Sequence, residues 1–292
     1  MNAAPTEQSI LSVPYRRFFA DRLRLLVSRW LELRADQRQV RLFTLDNDVI
    51  GRRIRTQEAY EPEVLAAIDA IASGAGVALD IGANIGNHAI RMARVFSRVI
   101  AFEPHPVMAA ALRANVLLNG CDTLQVMEVA LGARATQGIL QQQRSDHCGT
   151  LELVPVEIMA AGTPGHVPVR LLRGDDVLGN LLGPDERIAF IKIDIEGAEL
   201  PALQGLEACL QRDHPVICFE VRNPVEGARV HSFLRDMGYR DFRTIRASRI
   251  GLGSLHRLFT RAGRIKQYRL EPVAEFEDRH YSAVFAFASP PA

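Results

Sequence analysis

The sequence predicts an α/β fold built on a doubly wound, mainly parallel sheet, and three stretches carry that reading. Val77 to Glu103 reads VALDIGANIGNHAIRMARVFSRVIAFE: a short apolar run, a glycine turn, a helix and a second apolar run closed by an acid. Its apolar positions Ala89, Ile90, Ala93 and Phe96 recur at the spacing of one buried helix face. Ile188 to Ile195 is almost continuously apolar up to Asp194 and Glu196, as a strand covered on both faces must be. Pro215 to Val221 repeats the pattern and ends in Glu220, with a helix-length segment between the two runs.

The remaining elements follow in chain order. Residues 1–60 read as an accessory layer, with disorder expected up to about residue 8. Val13 to Leu33 sets Phe18, Phe19, Leu23, Leu26, Val27, Trp30 and Leu31 among arginines, a basic amphipathic helix. Such a helix packs on its own domain or on a second copy of the chain, or lies on a membrane surface; a homo-oligomer is one expected use. Val40 to Ile54 alternates as a hairpin around Asp46-Asn47-Asp48. The main domain is expected over 61–292, opening with a helix from Glu61-Pro62-Glu63 to near Ser73-Gly74. A second core helix runs Val107 to Asn119 before Gly120, and Leu124 to Val129 is the third strand. An insert over 133–187 carries alternating runs at Gly138–Gln142, Thr150–Val154 and His166–Leu172, read as extra hairpin strands beside a ligand mouth. Asp175-Asp176 opens a short helix, Glu199 to Leu210 is one crossover helix with Leu200, Leu203, Leu206 and Leu210 inward, and Val225 to Met237 is the next. Tyr239–Ile245 and Tyr281–Phe287 close the sheet, with Ala247 to Gly263 as a flexible cover.

The first turn carries the chemistry. Gly82 and Gly86 let the backbone turn sharply and approach a ligand. The helix that starts near Gly86 points its free N–H groups at that ligand. Glu103, about twenty residues on at the next strand tip, is placed to accept ribose hydroxyls. A dinucleotide site would need G-x-G-x-x-G to seat a pyrophosphate; here the turn is Gly82-Ala83-Asn84-Ile85-Gly86, and Asp80 precedes it. A carboxylate repels pyrophosphate and attracts an ammonium or sulfonium, so S-adenosylmethionine is the expected cofactor. The competing reading is that Asp80 caps the turn and the glycines serve packing.

DIGANIG, IAFEPHP and IKIDIEGAE together resemble the FkbM family of S-adenosylmethionine-dependent methyltransferases, over roughly Val49 to Phe287. Ala130-Leu131-Gly132 resembles the family's "ALG" turn. The resemblance implies a class I methyltransferase sheet of seven strands with an antiparallel last strand. It implies a cofactor site at Asp80, Gly82, Ala83, Asn84, Gly86, Asn87, Glu103, Pro104 and Asp194. It also points to methylation of a hydroxyl on a small molecule or glycan, of sugar or polyketide type. Amine methyltransferases of nucleic-acid bases often carry Asn/Asp-Pro-Pro-aromatic after the fourth strand, where this chain has Asp194-Ile195-Glu196-Gly197. A nucleic-acid or other N-methyltransferase, an inactive binding module and a dehydrogenase remain the alternatives.

Methylating a hydroxyl requires something to take its proton. Asp194 and Glu196 on the facing strand and His147 in the insert loop are the candidates, whereas a histidine at a helix start, such as His88, is more often structural. Lys192, one of two lysines in an arginine-rich chain, would pair with a carboxylate or steer a substrate, or else snorkel out of the sheet. Asp194, Glu196 and Glu220 could also hold a divalent metal such as magnesium, a question left open. Glu199 is expected to cap the following helix.

Composition sets the outer bounds. The chain has 292 residues, 48% hydrophobic and 24% charged, with a formal net charge of +1, an ordinary globular profile. No apolar run or basic-then-apolar start suggests a membrane span or signal peptide. Cys121, Cys148, Cys209 and Cys218 are widely spaced, which fits reduced thiols in a cytoplasm. Arg222 to Arg269 is rich in arginine, either a solvated surface or an attractor of acidic substrates. It lacks interleaved aromatics, so nucleic acid is not expected as a partner.

Overall fold

The computed structural model describes residues 11–13, 40–44, 60–72, 74, 76–142, 151–155, 166–249 and 266–288. Most of the expected amphipathic helix at 13–33, of the hairpin at 40–54 and of the cover at 247–263 falls outside them, and residues 247–249 are strand rather than cover. The first two strands, β1 (Leu11–Val13) and β2 (Val40–Leu42), pair antiparallel with each other. Val40–Leu42 thus has an upstream partner, and the second arm of the expected hairpin lies outside the described residues.

Helix α1 (Pro62–Ile71) leads into β3 (Val77–Ile81), α2 (Asn87–Met92), β4 (Arg98–Phe102), α3 (Pro106–Asn119) and β5 (Leu124–Met127). Next come β6 (Ala130–Gly132), β7 (Thr136–Gln142), β8 (Leu151–Pro155), β9 (His166–Arg173) and α4 (Gly174–Leu181). The chain continues through β10 (Ile188–Ile193), α5 (Glu199–Gln204), α6 (Glu207–Asp213), β11 (Val216–Val221) and α7 (Pro224–Asp236). It ends in β12 (Asp241–Arg249), β13 (Lys266–Pro272) and β14 (Tyr281–Phe287).

The main sheet runs β13-β12-β14-β11-β10-β3-β4-β5. From β11 to β5 all neighbours are parallel, and β14 enters antiparallel between β11 and β12. This is the expected seven-stranded class I methyltransferase arrangement, with one correction: β13 adds an eighth, antiparallel strand beside β12. The alternation that marks an edge strand is weak in KQYRLEP, which is why β13 was not legible in the sequence.

Every residue of β3 is buried, as a strand covered on both faces requires. One face carries α1, α2 and α3 through Val64, Ile68, Ile90 and Leu112 against Ala78, Val99 and Phe190. The other carries α4 to α7 through Leu178, Leu203, Leu210 and Leu234 against Leu79, Ile100, Ile191 and Phe219. Strand order reverses between β3 and β10, so their carboxyl ends open a crevice where α/β ligands bind.

The insert strands form a separate sheet, β6-β9-β7-β8. Ala130–Gly132, expected as a turn, is strand β6, paired parallel with β9. The expected single crossover helix is two, broken at Gly205. A Cβ there would lie 2.1 Å from the Gly132 carbonyl oxygen, and the Asp175 N–H donates to the Gly205 carbonyl at 2.8 Å. The Asp175 carboxylate then accepts from the Ala208 and Cys209 amides, capping the second helix from another element. Among the described residues no helix is long and apolar enough to cross a membrane.

Candidate functional site

Asp80 and Lys192 are register partners on adjacent parallel strands, at the point where strand order reverses. The Lys192 Nζ donates to Asp194 Oδ2 at 3.0 Å, and the lysine is only 4% exposed, so it does not snorkel out of the sheet. Burial alone would lower its pKa, but Asp194, Asp80 and Glu61 outweigh that and hold the ammonium well above its ordinary value. For Asp194, burial pushes the carboxyl up, while the Lys192 charge and hydrogen bond prevail and leave it below its usual value. Its side chain keeps 27% exposure, so an ionised carboxylate faces the crevice. Asp80 is different: it is fully buried, and neither side-chain oxygen has a hydrogen-bond partner among the described residues. Burial pushes its pKa up, more strongly than Lys192 and His88 pull it down.

The turn after β3 is shaped by positive φ at Gly82 (84°), Asn84 (50°) and Gly86 (96°). What the two glycines make room for is the chain itself. A Cβ at Gly82 would sit 2.0 Å from the Asp194 carbonyl oxygen, and one at Gly86 would sit 2.3 Å from Leu112 Cδ1. Both positions therefore need a glycine for packing. The Gly82 and Ala83 amides donate to the Phe102 carbonyl at 2.9 and 3.1 Å, tying the turn to β4.

Glu103 ties the turn further. Its Oε2 accepts from the Asn84 amide and its Oε1 from the His105 amide, each at 2.8 Å. The carboxylate is 5% exposed, and burial pushes its pKa up to about 7 despite those two amides. Each oxygen keeps a lone pair for a further donor. Asn84 Oδ1 accepts from the Ile85 amide, and Asn87 Nδ2 donates to the Tyr60 carbonyl, so both side chains already have local partners. Pro104 is half-buried beside Glu103, while Ala83 is buried. His88 is buried with its Nε2 3.3 Å from Glu61 Oε2, the structural role expected of it.

At the neighbouring strand ends, Glu199 Oε1 accepts from the Ile195 and Gly197 amides, so it caps the turn that precedes its helix. Glu196 stands at φ 55°, 3.6 Å from Arg222, which also pairs with Glu226. Glu220 Oε1 lies 2.6 Å from His280 Nε2. Asp194 and Glu196 thus face Lys192 and Arg222, Glu220 faces the His280 imidazole, and among the described residues no three His, Cys, Asp or Glu side chains are grouped to hold a metal. The donor set does not fit a divalent ion. His147 lies outside the described residues.

Sequence reasoning missed Glu61, Asn115 and His280 as parts of this region. Asn115 is fully buried and donates through Nδ2 to the Ile85 and Phe43 carbonyls, clamping the turn to the segment after β2. Only a buried asparagine on an apolar helix face, in PVMAAALRANVLLN, could have signalled it.

Residues 80–240 match the model of the Methyltransferase FkbM domain, more than half of the chain. Methyltransferase sdnD of Sordaria araneosa is 33% identical over 156 residues, covering 44% of this chain and 60% of that protein. Hexuronic acid methyltransferase AglP of Haloferax volcanii is 29% identical over 178 residues, covering 59% of this chain and 61% of that protein. The chain thus spans about 60% of the length of these curated relatives. Among solved structures, Methyltransferase FkbM from Methylobacillus flagellatus matches at 16% identity with a TM-score of 0.43, over 73% of this chain and 44% of that one. The chain belongs to the Methyltransferase FkbM domain family.

Proposed function

We propose that the chain transfers a methyl group from S-adenosylmethionine to a hydroxyl oxygen of a small molecule or glycan, of sugar or polyketide type. The observation that carries this reading is Asp194: a part-exposed carboxylate, held ionised by a buried lysine, at the reversal of strand order. The cofactor, when bound, supplies a methyl group on a cationic sulfur. The chain's residues fit it. Asp194 attracts the sulfonium and ammonium, and the spare lone pairs of Glu103 accept ribose hydroxyls beside Asn84 and Pro104. Asp80, sealed beneath the turn with two orphan oxygens, acts on a bound cation through its field unless the turn opens. Lys192 positions Asp194 and keeps it charged. We assign acceptor recognition to the insert 133–187, because its sheet leaves the main domain at the carboxyl end of β5.

The acceptor class draws support from Asp194-Ile195-Glu196-Gly197, which places carboxylates where base methyltransferases often carry an amide and prolines. A hexuronic acid methyltransferase among the relatives points to the same class. Calorimetry with S-adenosylhomocysteine, then a methyl-transfer screen over hydroxylated sugars, macrolides and RNA, tests the proposal. Binding of the cofactor product and transfer to a hydroxyl are expected, with Asp194→Asn at least ~100-fold slower, on the order of a lost electrostatic contact to the reacting group. Methylation of RNA alone, tight NADH binding in place of S-adenosylhomocysteine, or undiminished turnover in Asp194→Asn would overturn it.

A further inference from the structure

We infer that His280 is the group that takes the acceptor's proton, with Glu220 as the residue that positions it. The inference rests on the methyl-transfer reading above and adds the base that reading lacks. Asp194 is a poor base, because Lys192 holds its pKa below the usual value and a carboxylate so stabilised accepts a proton weakly.

The geometry is that of an imidazole oriented by a buried carboxylate. Glu220 sits near the end of β11, the strand next to β10, with its side chain 15% exposed. Its Oε1 is 2.6 Å from His280 Nε2, while Oε2 is buried without a hydrogen-bond partner among the described residues. The imidazole keeps 55% exposure and stands immediately before β14, which pairs with β11. With Nε2 held against the carboxylate, the accessible nitrogen is Nδ1. The pair is adjacent to the crevice, since β11 neighbours β10 and their partners Phe219 and Ile193 directly precede Glu220 and Asp194. The neighbours on the other side are already engaged: Arg279 pairs with Glu277 at 3.1 Å and lies over the Tyr281 ring. If cofactor lies over β3 and β4, an acceptor entering from β11 meets the Nδ1 edge.

In the step itself the acceptor oxygen forms the new C–O bond to the methyl carbon as its proton moves to His280 Nδ1. The methyl–sulfur bond breaks with its electron pair left on sulfur, so S-adenosylhomocysteine leaves neutral and the positive charge resides on the imidazolium until the proton passes to solvent. Burial, with Asp194, Glu196 and Glu199 nearby, pushes the Glu220 pKa up to about 9, so the pair retains a shared proton into the alkaline range. The rate should therefore climb as pH rises.

The test uses the whole chain labelled at histidine, with S-adenosylhomocysteine as probe. By nitrogen NMR, His280 in its neutral form should carry its proton on Nε2, and its titration should move to lower pH in Glu220→Gln. S-adenosylhomocysteine should shift its resonances. With the acceptor found by the screen above, His280→Ala should slow transfer ~100-fold or more, the usual size of a lost general base. Its affinity for S-adenosylhomocysteine should change less than about threefold, which also shows that it folds. Glu220→Gln should move the pH–rate limb to lower pH, which a purely structural tie would not do. An Nδ1–H tautomer, a His280 titration unmoved by Glu220→Gln, or full turnover in His280→Ala overturns the inference. Failure of the wild-type chain to bind S-adenosylhomocysteine overturns instead the methyl-transfer reading on which it rests.

Discussion

Glu103 offers the sharpest test of the site, because one carboxylate both knits two turns together and is expected to receive a ligand. Its folded pKa of about 7 against an ordinary 4.5 means that ionising it inside the fold costs roughly 3 kcal/mol. The sign follows from linkage. An acid whose pKa is raised on folding contributes stability that is complete below 4.5 and is lost as pH rises towards about 7. Glu103→Gln removes that slope. It also turns an amide NH2 towards the Asn84 or the His105 N–H, each of which now donates to a carboxylate oxygen. Two donors facing each other in a buried site cost roughly 1–3 kcal/mol. Urea denaturation at pH 5 and pH 8 should therefore show the variant clearly less stable at pH 5 and near wild type at pH 8. Ligand binding should run the opposite way with pH. If ribose hydroxyls donate to the ionised form, S-adenosylhomocysteine affinity should fall ~10-fold for each pH step well below about 7 and level off above it. In Glu103→Gln the affinity should be low and flat with pH. A wild-type affinity that does not change between pH 5 and 8, or a stability gap equal at both, would refute the reasoning.

Two further substitutions probe the scaffold. Lys192→Met leaves Asp194 and Asp80 without their buried cation and should cost roughly 3–5 kcal/mol at pH 8, as removal of one partner from a buried pair does. Without the lysine, burial alone acts on the Asp194 and Asp80 carboxyls and raises their pKa, so the deficit should shrink as pH falls towards the ordinary carboxyl range; a pH-independent deficit in denaturant unfolding would contradict the assignment. Gly82→Ala places a methyl against the Asp194 carbonyl at positive φ and should destabilise by about 2–5 kcal/mol, combining backbone strain with overpacking. Gly120→Ala has the same sign of φ but open space around it, so it should cost only about 1–2 kcal/mol; equal thermal losses in the two variants would argue against the contact.

The local pattern of the sequence was sufficient for most elements and for setting the glycine turn at the carboxyl end of a central strand. Continuous burial in VALDI and IAFIKI, and the glycine turn with Glu103 two strand lengths on, follow from which faces of each short segment must leave water. Gly120 marked the end of α3 for the same local reason, since glycine takes a positive φ without reference to distant neighbours. The tertiary structure decided what depends on residues far apart in the chain. The register of β10 on β3 sets Lys192 beside Asp80, and a slip of one residue would turn that lysine to the opposite face. The close approach of β10 to Gly82, and of β6 to Gly205, explains why those positions carry no side chain and why the crossover helix breaks. Glu103 reads from sequence as a free ribose acceptor, yet folding brings it two amides, because a buried carboxylate must be satisfied by whatever donors surround it. His280 carried no signal in its own neighbourhood; only the pairing of β14 with β11 sets it against Glu220, 60 residues earlier in the chain. Periodicity records which side of a segment faces the core, whereas the partners met there are fixed by the packing of the whole chain.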